Sequence, residues 1–332
     1  MAPMGRELEP VTVATPARLA DVEVRLIELD RAAAEYVREQ RPENTKRAYA
    51  IDWRDWCAYT RELGIPETTA TPGALVGFVR WLELKGYAPT TMDRRLAGVA
   101  VELRQRGAVV NERVTKSARD ALKAYKRRLD EAGETRGRGR AAAVTVRDLR
   151  RICAALPDTL AGTRDRAMLL IGFTIAARRS ELASLRVDDI APDEQGLVVT
   201  IRFGKTGGRT VVVPYGSHER TCPVRAWRAW LEASGITSGP AWRRIDRHGR
   251  MFAGGMSAEA VGEAITRAGA RVGLAITGHS LRAGLVTEAR RAGHDVKTIC
   301  NQTGHSPKSG TVYDYIRIVD QWADNAVAGI GL

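Results

Sequence analysis

Cysteine is scarce in this sequence, and its placement excludes whole classes of protein. The 332 residues include four cysteines, and they are widely separated: Cys57, Cys153, Cys222 and Cys300. Without a Cys-x-x-Cys pair, the pattern is typical of a reduced chain and not of a disulfide scaffold or a zinc framework. The other candidate metal ligands match no zinc spacing: His279, His294, Cys300 and His305. We therefore expect no bound metal.

Long apolar runs are missing as well. The longest covers residues 167–177, which is too short to span a bilayer and is typical of a buried helix. Residues 1–7 have no apolar core, so they do not resemble a signal peptide. These absences predict a cytoplasmic protein that does not enter a membrane.

Basic charge is what the sequence has in excess. Its 52 Lys and Arg residues outnumber its 39 Asp and Glu residues, which gives a formal net charge of +13. Such an excess favours a polyanionic partner, and for this chain that means nucleic acid first. A merely Arg-rich protein is the alternative. The interpretation as a nucleic-acid-binding protein predicts a location on the nucleoid.

The first part of the chain is predicted to be helical. Residues 1–16 contain three prolines and little periodicity, and we expect them to form a loose arm. Residues 17–131 carry apolar side chains at helical spacing, which predicts a helical domain. Asn44 or Thr45 is the expected cap of its second helix. The expected helices cover residues 17–40, 44–63, 72–84, 89–106 and 114–129.

The second and fourth helices contain the residues of interest in this domain. An aromatic stripe on the second helix consists of Tyr49, Trp53, Trp56 and Tyr59. Its helical spacing favours a core face over a platform for stacking nucleotides. Helix starts also offer free N–H groups to a phosphate, so polar residues there are candidates for DNA contact. These candidates are Lys46, Arg47, Thr90, Thr91, Arg94 and Arg95.

A basic connection leads out of the helical domain. Residues 113–140 contain ten Lys or Arg residues against four acids, and residues 134–140 carry no large apolar side chain. This composition predicts a flexible linker over residues 132–143. Two interpretations stay open, namely a solvated tether and a tether that also follows a DNA backbone.

The next segment, residues 144–318, predicts a mixed α+β domain. It opens with a capping-box pattern at Thr145 and Asp148. Two short strands around a glycine-rich turn, at residues 197–203 and 209–214, predict a hairpin. The expected helices cover residues 164–177, 223–233, 257–272, 280–292 and 295–303.

One of these helices is a candidate for reading DNA. The helix over residues 257–272 has an apolar face made by Val261, Ile265, Ala268 and Val272. Its other face offers Arg267 and Arg271, which suit contact with a major groove.

Two short patterns in this domain carry chemistry only in combination. Arg178 directly follows the buried helix and has Glu181 three residues on; alone, the pair predicts a salt bridge at the edge of the core. Lys205 lies in the hairpin turn, where a lysine can protonate a leaving oxygen. The turn resembles part of a P-loop, but Val199 stands where the first glycine is required and no helix is expected to follow.

The strongest stretch lies near the C-terminus. His279 and Arg282 are three residues apart and therefore share one face of a helix. Arginine clamps phosphate oxygens, and histidine donates or moves protons. His305 follows, and then Tyr313 and Tyr315. A tyrosine can attack phosphorus and hold it covalently.

The order of these residues resembles the pattern of the tyrosine recombinases of the phage integrase family. The pattern consists of Arg178-x-x-Glu181, Lys205, His279-x-x-Arg282, His305 and a late tyrosine. The general layout is similar to the Cre branch. The resemblance covers about residues 40–332 and is most specific in the C-terminal half. It implies a mainly α fold with a small β-sheet, in which a helical core-binding domain precedes an α+β catalytic domain.

The resemblance also implies a role for each residue around the phosphate. Arg178 and Arg282 would hold the non-bridging oxygens and stabilise the charge of the transition state. His279 would handle the proton of the attacking tyrosine. His305 would hydrogen-bond the phosphate, and Glu181 would keep the site in register.

The resemblance leaves a choice of nucleophile. Family members usually carry it nine residues after the position of His305, whereas Tyr313 is eight and Tyr315 is ten residues after it. Two helical positions differ by about 200°, so only one can face the site. We expect Tyr315, with a one-residue insertion near residues 308–310. It would form a 3′-phosphotyrosyl bond while Lys205 protonates the leaving 5′ oxygen, with no metal, ATP or other cofactor.

For the whole protein the resemblance implies site-specific recombination. Such enzymes act as homotetramers on two double-stranded DNA sites with inverted repeats, and exchange strands through a Holliday junction. Residues 319–332 would dock on a neighbouring subunit, with packing on their own domain as the alternative. Two rival functions stay open, namely a type IB topoisomerase with the same chemistry and a DNA-binding protein with an inactive site.

Overall fold

The computed structural model describes residues 16–137, 139, 141–202, 207–306, 312, 313 and 316. Contacts divide the chain after Gly139 into two compact units, each with its own apolar core. The division lies inside the range 132–143 that we predicted as a linker, and the predicted domain bounds themselves stay predictions. The predicted fold class, mainly helical with a small sheet, is confirmed.

The first unit consists of helices joined by short turns. They are α1 (Pro16–Glu39), α2 (Glu43–Leu63), α3 (Pro72–Leu84), α4 (Pro89–Gln105) and α5 (Glu112–Glu131). All five agree with the expected ranges to within two residues. The expected cap of α2 is wrong, because the helix begins at Glu43 and Pro42 occupies the capping position without a side-chain hydrogen bond.

Aromatic rings form the centre of the first unit. Trp56 and Tyr59 on α2 are buried, and both rings contact Phe78 on α3 at centroid distances of 5.3 and 5.5 Å. The indole N–H of Trp56 donates to the carbonyl oxygen of Glu67, and the Tyr59 hydroxyl donates to that of Ala74. The core interpretation of the aromatic stripe is therefore confirmed for these two residues.

An ion pair between a buried carboxylate and a partly exposed guanidinium joins α2 to α4. Asp52 is fully buried and accepts a hydrogen bond from Arg94 Nη1 at 2.6 Å. Burial raises the pKa of the Asp52 carboxyl, although the charges of Arg94 and Arg95 lower it. The helices can approach this closely because residue 98 is a glycine, where a Cβ would lie 2.5 Å from Asp52 Oδ2.

The second unit packs helices around a small sheet. The helices are α6 (Val146–Ala155), α7 (Leu160–Thr174), α8 (Arg179–Ser184), α9 (Pro223–Ser234), α10 (Ala258–Ala270), α11 (Gly278–Arg291) and α12 (Val296–Thr303). The strands are β1 (Ile190–Asp193), β2 (Gly196–Ile201), β3 (Arg209–Pro214), β4 (Arg243–Ile245) and β5 (Met251–Gly255). Short 3₁₀ turns cover Val187–Asp189 and Glu219–Thr221.

The strands form two antiparallel sheets. One has the order β1-β2-β3, with Val199 of β2 opposite Val211 of β3, and the other is the β4–β5 pair. The predicted pairing of β2 with β3 is confirmed. Strands β1, β4 and β5 were not predicted, because three to five residues such as Arg-Arg-Ile are too short to show an alternating pattern.

Helix α7 is the central element of the second unit. Residues 167–173 are all buried, and at Gly172 a Cβ would lie 2.8 Å from Leu182 and 3.3 Å from Leu281, so α8 and α11 pack closely there. The helix ends at Thr174, three residues earlier than predicted. The Ala177 N–H returns to the Gly172 carbonyl, and Ala176 adopts a φ of +47°. This C-terminal turn leaves the carbonyls of Ile175 and Ala176 outside the helix.

Some expectations fall outside the described residues. Lys205, Tyr315 and residues 319–332 belong to this part of the chain, and so do residues 1–15 of the predicted arm. Within the part that is described, no helix combines the length and apolar character needed to cross a membrane.

Gly98→Ala is expected to destabilise the first unit. The new methyl group overlaps Asp52, which is buried and cannot move without breaking its bond to Arg94. We expect a loss of about 1–3 kcal/mol in the free energy of unfolding, measured by chemical denaturation. Gly73→Ala is the matched control, because this helical glycine has nothing within 4 Å of its added Cβ. An equal loss in both variants would contradict the close approach of α2 and α4.

Candidate active site

Arg178 and Glu181 form one side of the site. Arg178 caps α8 immediately after the turn that ends α7, and its backbone N–H donates to Glu181 Oε2 at 3.0 Å. Its guanidinium Nη1 bonds to Oε1 of the same carboxylate. Glu181 is buried, whereas a quarter of the Arg178 side chain is exposed. The predicted ion pair is confirmed, and part of Arg178 remains accessible to a ligand.

Arg282 forms the opposite side. It lies on α11, whose start is fixed by reciprocal capping between Thr277 and Ser280. The side chain is buried, with 1% of the residue exposed. Its Nη1 donates to the carbonyl oxygen of Ala176 at 2.6 Å, and its Nε donates to His305 Nε2 at 3.1 Å. The guanidinium is therefore held by the end of α7 on one edge and by an imidazole on the other.

His305 has a defined tautomer in this arrangement. Thr303, which is buried, donates its hydroxyl proton to the Ile299 carbonyl at 2.8 Å, so its oxygen accepts from His305 Nδ1 at 2.9 Å. The proton then lies on Nδ1, and Nε2 is free to accept from Arg282. Burial, followed by the charges of Arg282 and Arg178, lowers the pKa of His305 to about 4. The ring is therefore neutral at physiological pH.

His279 completes the group. Its side chain is at the surface near the start of α11, and desolvation, followed by the charges of Arg282 and Arg178, lowers its pKa. Both arginines thus act electrostatically on both imidazoles. Residues that are about 100 positions apart in the sequence, Arg178 and Arg282, are brought to one place.

Arg209 belongs to the same group and was missed by sequence reasoning. It is the first residue of β3, and its Nη2 donates to Glu181 Oε2 at 3.0 Å and to the Ile175 carbonyl at 3.1 Å. An arginine beginning a strand after a turn is ordinarily a surface residue, so no sequence pattern indicated its place in the site. Thr303 was missed for the same reason, since a threonine at a helix end is common.

The charges of the group suit an anion. Two guanidinium groups, those of Arg178 and Arg209, contact the Glu181 carboxylate, and a third, that of Arg282, bonds to the neutral His305 imidazole, so positive charge is in excess. A phosphodiester carries one negative charge and gains another in the transition state of displacement, which such a site stabilises. Among the described residues, no cluster of three His, Cys, Asp or Glu side chains could hold a metal ion.

The segment of the late tyrosines is described only in part. Val312 and Ile316 are buried in a small apolar cluster with residues of α11 and α12, including Ala283, Val286, Ile299 and Cys300. Tyr313 is 38% exposed. Lys205 and Tyr315 lie outside the described residues. The next described element after Lys205 is the strand β3, not a helix, which rules out the P-loop interpretation.

The predicted DNA-contact residues of the first unit differ in exposure. Lys46 pairs with Glu43, and Arg47 donates to Asn44; both stand at the start of α2. Thr90 and Thr91 lie in the first turn of α4, where Thr90 is exposed and Thr91 is half-buried.

Arg94 and Arg95 have structural partners. Arg94 bonds to Asp52 and remains partly exposed, with 41% of its side chain accessible. Arg95 is buried, paired with Asp55 and stacked over the Tyr87 ring, so its guanidinium does not reach the surface. Contact with DNA stays a prediction for Arg94, and the burial of Arg95 argues against it there.

Helix α10 has the two faces that its sequence indicated. Its apolar residues face the core, with Val261, Ile265 and Ala268 buried. Arg267 and Arg271 are exposed on the outside, where Arg267 lies 3.6 Å from Glu263.

The β4–β5 hairpin is a basic surface that sequence reasoning missed. Its exposed basic residues are Arg244, Arg247, His248 and Arg250. Asp246 holds the turn, because its Oδ1 accepts from the backbone N–H groups of His248 and Arg250. Arg244 and Arg250 both lie over the Phe252 ring. Five basic residues within eight positions were the available signal, and without a predicted strand they had no structural context.

Comparison with known proteins agrees with this geometry. Residues 142–321 match the model of the phage integrase family, and residues 34–101 match that of the phage integrase N-terminal SAM-like domain. An integrase/recombinase xerD homolog of Selenomonas ruminantium is 29% identical over 87% of this chain and 86% of its own length. The integrase of transposon Tn1549, solved with transposon right end DNA, shares the fold at a TM-score of 0.62, with 15% identity over 86% of this chain and 92% of the other.

The Cre-like branch is not confirmed. Recombinase cre of Escherichia phage P1 is 24% identical over 81% of both chains, below the identity to the xerD homolog. The family model nevertheless covers more than half of the chain and includes every residue of the group around Arg178 and Arg282. The chain therefore belongs to the phage integrase family and is a site-specific tyrosine recombinase.

Proposed function

We propose that this recombinase cleaves and rejoins DNA through a 3′-phosphotyrosyl intermediate. The observation that carries the proposal is that Arg282 bonds both to the Ala176 carbonyl, two residues before Arg178, and to the His305 imidazole, so the two guanidinium groups lie in one site. Two guanidinium groups can hold the two non-bridging oxygens of a single phosphodiester. The same groups bind more strongly as charge develops, which lowers the barrier to displacement at phosphorus.

The proposed reaction balances without an external energy source. The bond from the tyrosine oxygen to phosphorus forms as the bond from phosphorus to the 5′ oxygen breaks. His279 accepts the phenolic proton, and Lys205 donates one to the departing 5′ oxygen, which leaves as a hydroxyl. Since one phosphodiester replaces another, the reverse reaction reseals a strand. Neither a metal ion nor ATP is then needed.

We propose that His305 hydrogen-bonds to Arg282 when the site is ready to cleave DNA. Its Nε2 accepts from the Arg282 Nε, and its Nδ1 is tied to Thr303. This bond fixes the plane of the guanidinium that grips the phosphate. A direct hydrogen bond from His305 to the phosphate, as the family resemblance implies, would require the other tautomer and stays a prediction.

We propose Tyr315 as the nucleophile. With Val312 and Ile316 buried, helical geometry would put positions 313 and 315 on opposite sides of the segment, so the two tyrosines cannot serve one site together. The sequence likeness of the end of the chain favours Tyr315, and the exposure of Tyr313 leaves it as the alternative.

The proposed substrate is double-stranded DNA with inverted-repeat sites. The transposon Tn1549 integrase of similar fold was solved with DNA, and the net charge of +13 favours the same partner here. Surfaces suited to backbone or groove contact are the outer face of α10, with Arg267 and Arg271, and the β4–β5 hairpin. In the first unit, Lys46, Arg47, Thr90, Thr91 and Arg94 are the proposed contacts.

We further propose that the protein forms a homotetramer that exchanges strands through a Holliday junction. Residues 319–332 of each subunit would dock on a neighbouring subunit. A cavity of about 370 Å³ between α11, α12 and β3 has a mainly apolar lining that suits this tail. Lining residues include Val212, Leu285, Ala289 and Ile299. The tail offers Trp322, Ala326, Val327 and Ile330 as apolar side chains.

Replacing the two late tyrosines separately identifies the nucleophile. Tyr315→Phe is expected to abolish the covalent protein–DNA band on a nicked suicide duplex under denaturing electrophoresis, while native binding stays within a few-fold. Tyr313→Phe, the matched control, should keep the band. The reverse pattern would make Tyr313 the nucleophile, and a band in both variants would refute the tyrosine mechanism.

Removing one guanidinium should slow cleavage far more than binding. Arg178→Ala is expected to lower the single-turnover cleavage rate by about 10²–10³-fold, as loss of one transition-state donor does. Arg282→Lys should do the same, because an ammonium keeps the charge but loses the two-edged fork. Arg225→Ala, at an exposed position on α9, is the control. Near-normal cleavage by either site variant would remove the phosphate-clamp assignment.

Neutralising the hairpin should reduce the salt dependence of DNA binding. Each lost phosphate contact lowers the slope of log K against log salt by about 0.9. The triple variant Arg244→Gln, Arg247→Gln and Arg250→Gln should therefore bind more weakly at low salt, with a shallower slope, by fluorescence anisotropy. Arg220→Gln, Arg225→Gln and Arg228→Gln remove the same charge from exposed positions elsewhere. Equal effects in both triple variants would show that only net charge matters.

A further inference from the structure

Strand β3 contributes a guanidinium that connects three separate parts of the site. The Arg209 side chain is 11% exposed, and a single nitrogen, Nη2, donates to both the Glu181 carboxylate and the Ile175 carbonyl. The first contact lies on α8 and the second at the end of α7. One side chain therefore fixes β3 relative to the two elements on either side of Arg178.

The same side chain packs against the turn that carries His305. A Cβ added at Gly304 would lie 2.9 Å from Arg209 Cδ and 3.3 Å from its Nε. Gly304 also has a φ of +66°, in the region that favours glycine. The turn before His305 therefore touches Arg209 directly, and a shift of Arg209 is transmitted to it.

Glu181 divides its two oxygens between two arginines. Oε1 bonds to Arg178 Nη1, and Oε2 accepts from Arg209 and from the Arg178 backbone N–H. Burial raises the pKa of the Glu181 carboxyl, but the hydrogen bonds from Arg209 and Arg178 outweigh it, so the pKa lies below its usual value. Without Arg209, the buried carboxylate would have one guanidinium partner among these contacts. Bidentate pairing with Arg178 would then be favoured, because arginine and carboxylate match in two-pronged geometry.

We propose that Arg209 is a positioning residue: by occupying one oxygen of Glu181, it keeps the Arg178 guanidinium turned toward the scissile phosphate instead of drawn onto the carboxylate. This proposal rests on the phosphotyrosyl mechanism proposed above and deepens it. Arg209 acts through Arg178 and does not touch the phosphate. Its removal therefore affects the rate of cleavage and leaves the affinity for DNA nearly unchanged.

A double-mutant cycle tests the proposed route. Wild type, Arg209→Gln, Glu181→Gln and the double variant are compared in single-turnover formation of the covalent complex on a nicked duplex, with saturating protein and titrated active sites. We expect Arg209→Gln to slow the reaction by about 100-fold, as small displacements of positioned groups do. The double variant should be no slower than the slower single variant, because both changes act on the same guanidinium. Effects that multiply would overturn the proposal.

The pH dependence of the cleavage rate separates the proposed role from misfolding, because partial misfolding lowers the rate without shifting its pH dependence. Glu181 has a lowered pKa, so its charge is kept until the pH falls below the range in which a glutamate ordinarily titrates. Protonation of His279, the proposed proton acceptor, contributes to the acid limb of the cleavage rate in every variant. Loss of Arg209 raises the pKa of Glu181, so the part of the limb that comes from Glu181 should move to higher pH in Arg209→Gln and be absent in Glu181→Gln. Arg164→Gln is the matched structural control. This buried arginine bonds to Asp165 and to the Arg243 carbonyl, so its loss should lower the unfolding temperature without moving the limb.

The outcomes separate this proposal from the mechanism on which it rests. If wild type forms no covalent complex, the proposed function fails. If wild type forms it and Arg209→Gln reacts at the same rate with the same acid limb, only the role of Arg209 fails. Arg209→Lys, which keeps the charge but not the fork, should react at an intermediate rate. Should Arg209→Gln not fold, a wild-type rate in Arg209→Lys would overturn the proposal.

Discussion

Two consecutive carbonyl groups at the end of α7 hold the site together. The Ile175 oxygen accepts from Arg209, and the Ala176 oxygen accepts from Arg282, so guanidinium groups from β3 and α11 meet at adjacent peptide units. A helix C-terminus carries partial negative charge and unpaired carbonyls, which favour cations at this place. The left-handed turn at Ala176 exposes both oxygens and then starts α8 with Arg178.

The burial of α7 makes this arrangement stiff. Its apolar residues are enclosed by the core of the second unit, and Gly172 brings α8 and α11 into close contact with it. The carbonyls therefore cannot move without disturbing the core. Arg209 and Arg282, which bond to them, are held in fixed positions for the same reason. A phosphate site benefits because stabilisation of developing charge depends on groups that are already in position.

Charge balance explains why the cluster tolerates so many cations. Removing one partner of a buried ion pair costs about 3–5 kcal/mol, so Glu181 is needed to keep Arg178 and Arg209 at the edge of an apolar core. His305 contributes by remaining neutral, since a positively charged imidazole would repel the Arg282 guanidinium beside it. The remaining positive charge faces outward through the partly exposed Arg178, where an anionic substrate would neutralise it.

The sequence by itself determined most of the helices, the pairing of β2 with β3, the pairing of Arg178 with Glu181, and the family pattern, because these depend on spacing within short segments. Periodicity placed Trp56 in a core and the apolar face of α10 inward for the same reason. Tertiary structure alone decided that Arg209 joins the site, that Arg95 is buried beneath Tyr87, and that His305 accepts from Arg282. Each of these facts depends on contacts between segments that are remote in the chain, and a surface arginine and a buried one look the same in sequence. The short strands β4 and β5 escaped prediction because pairing with each other, not their own pattern, makes them strands.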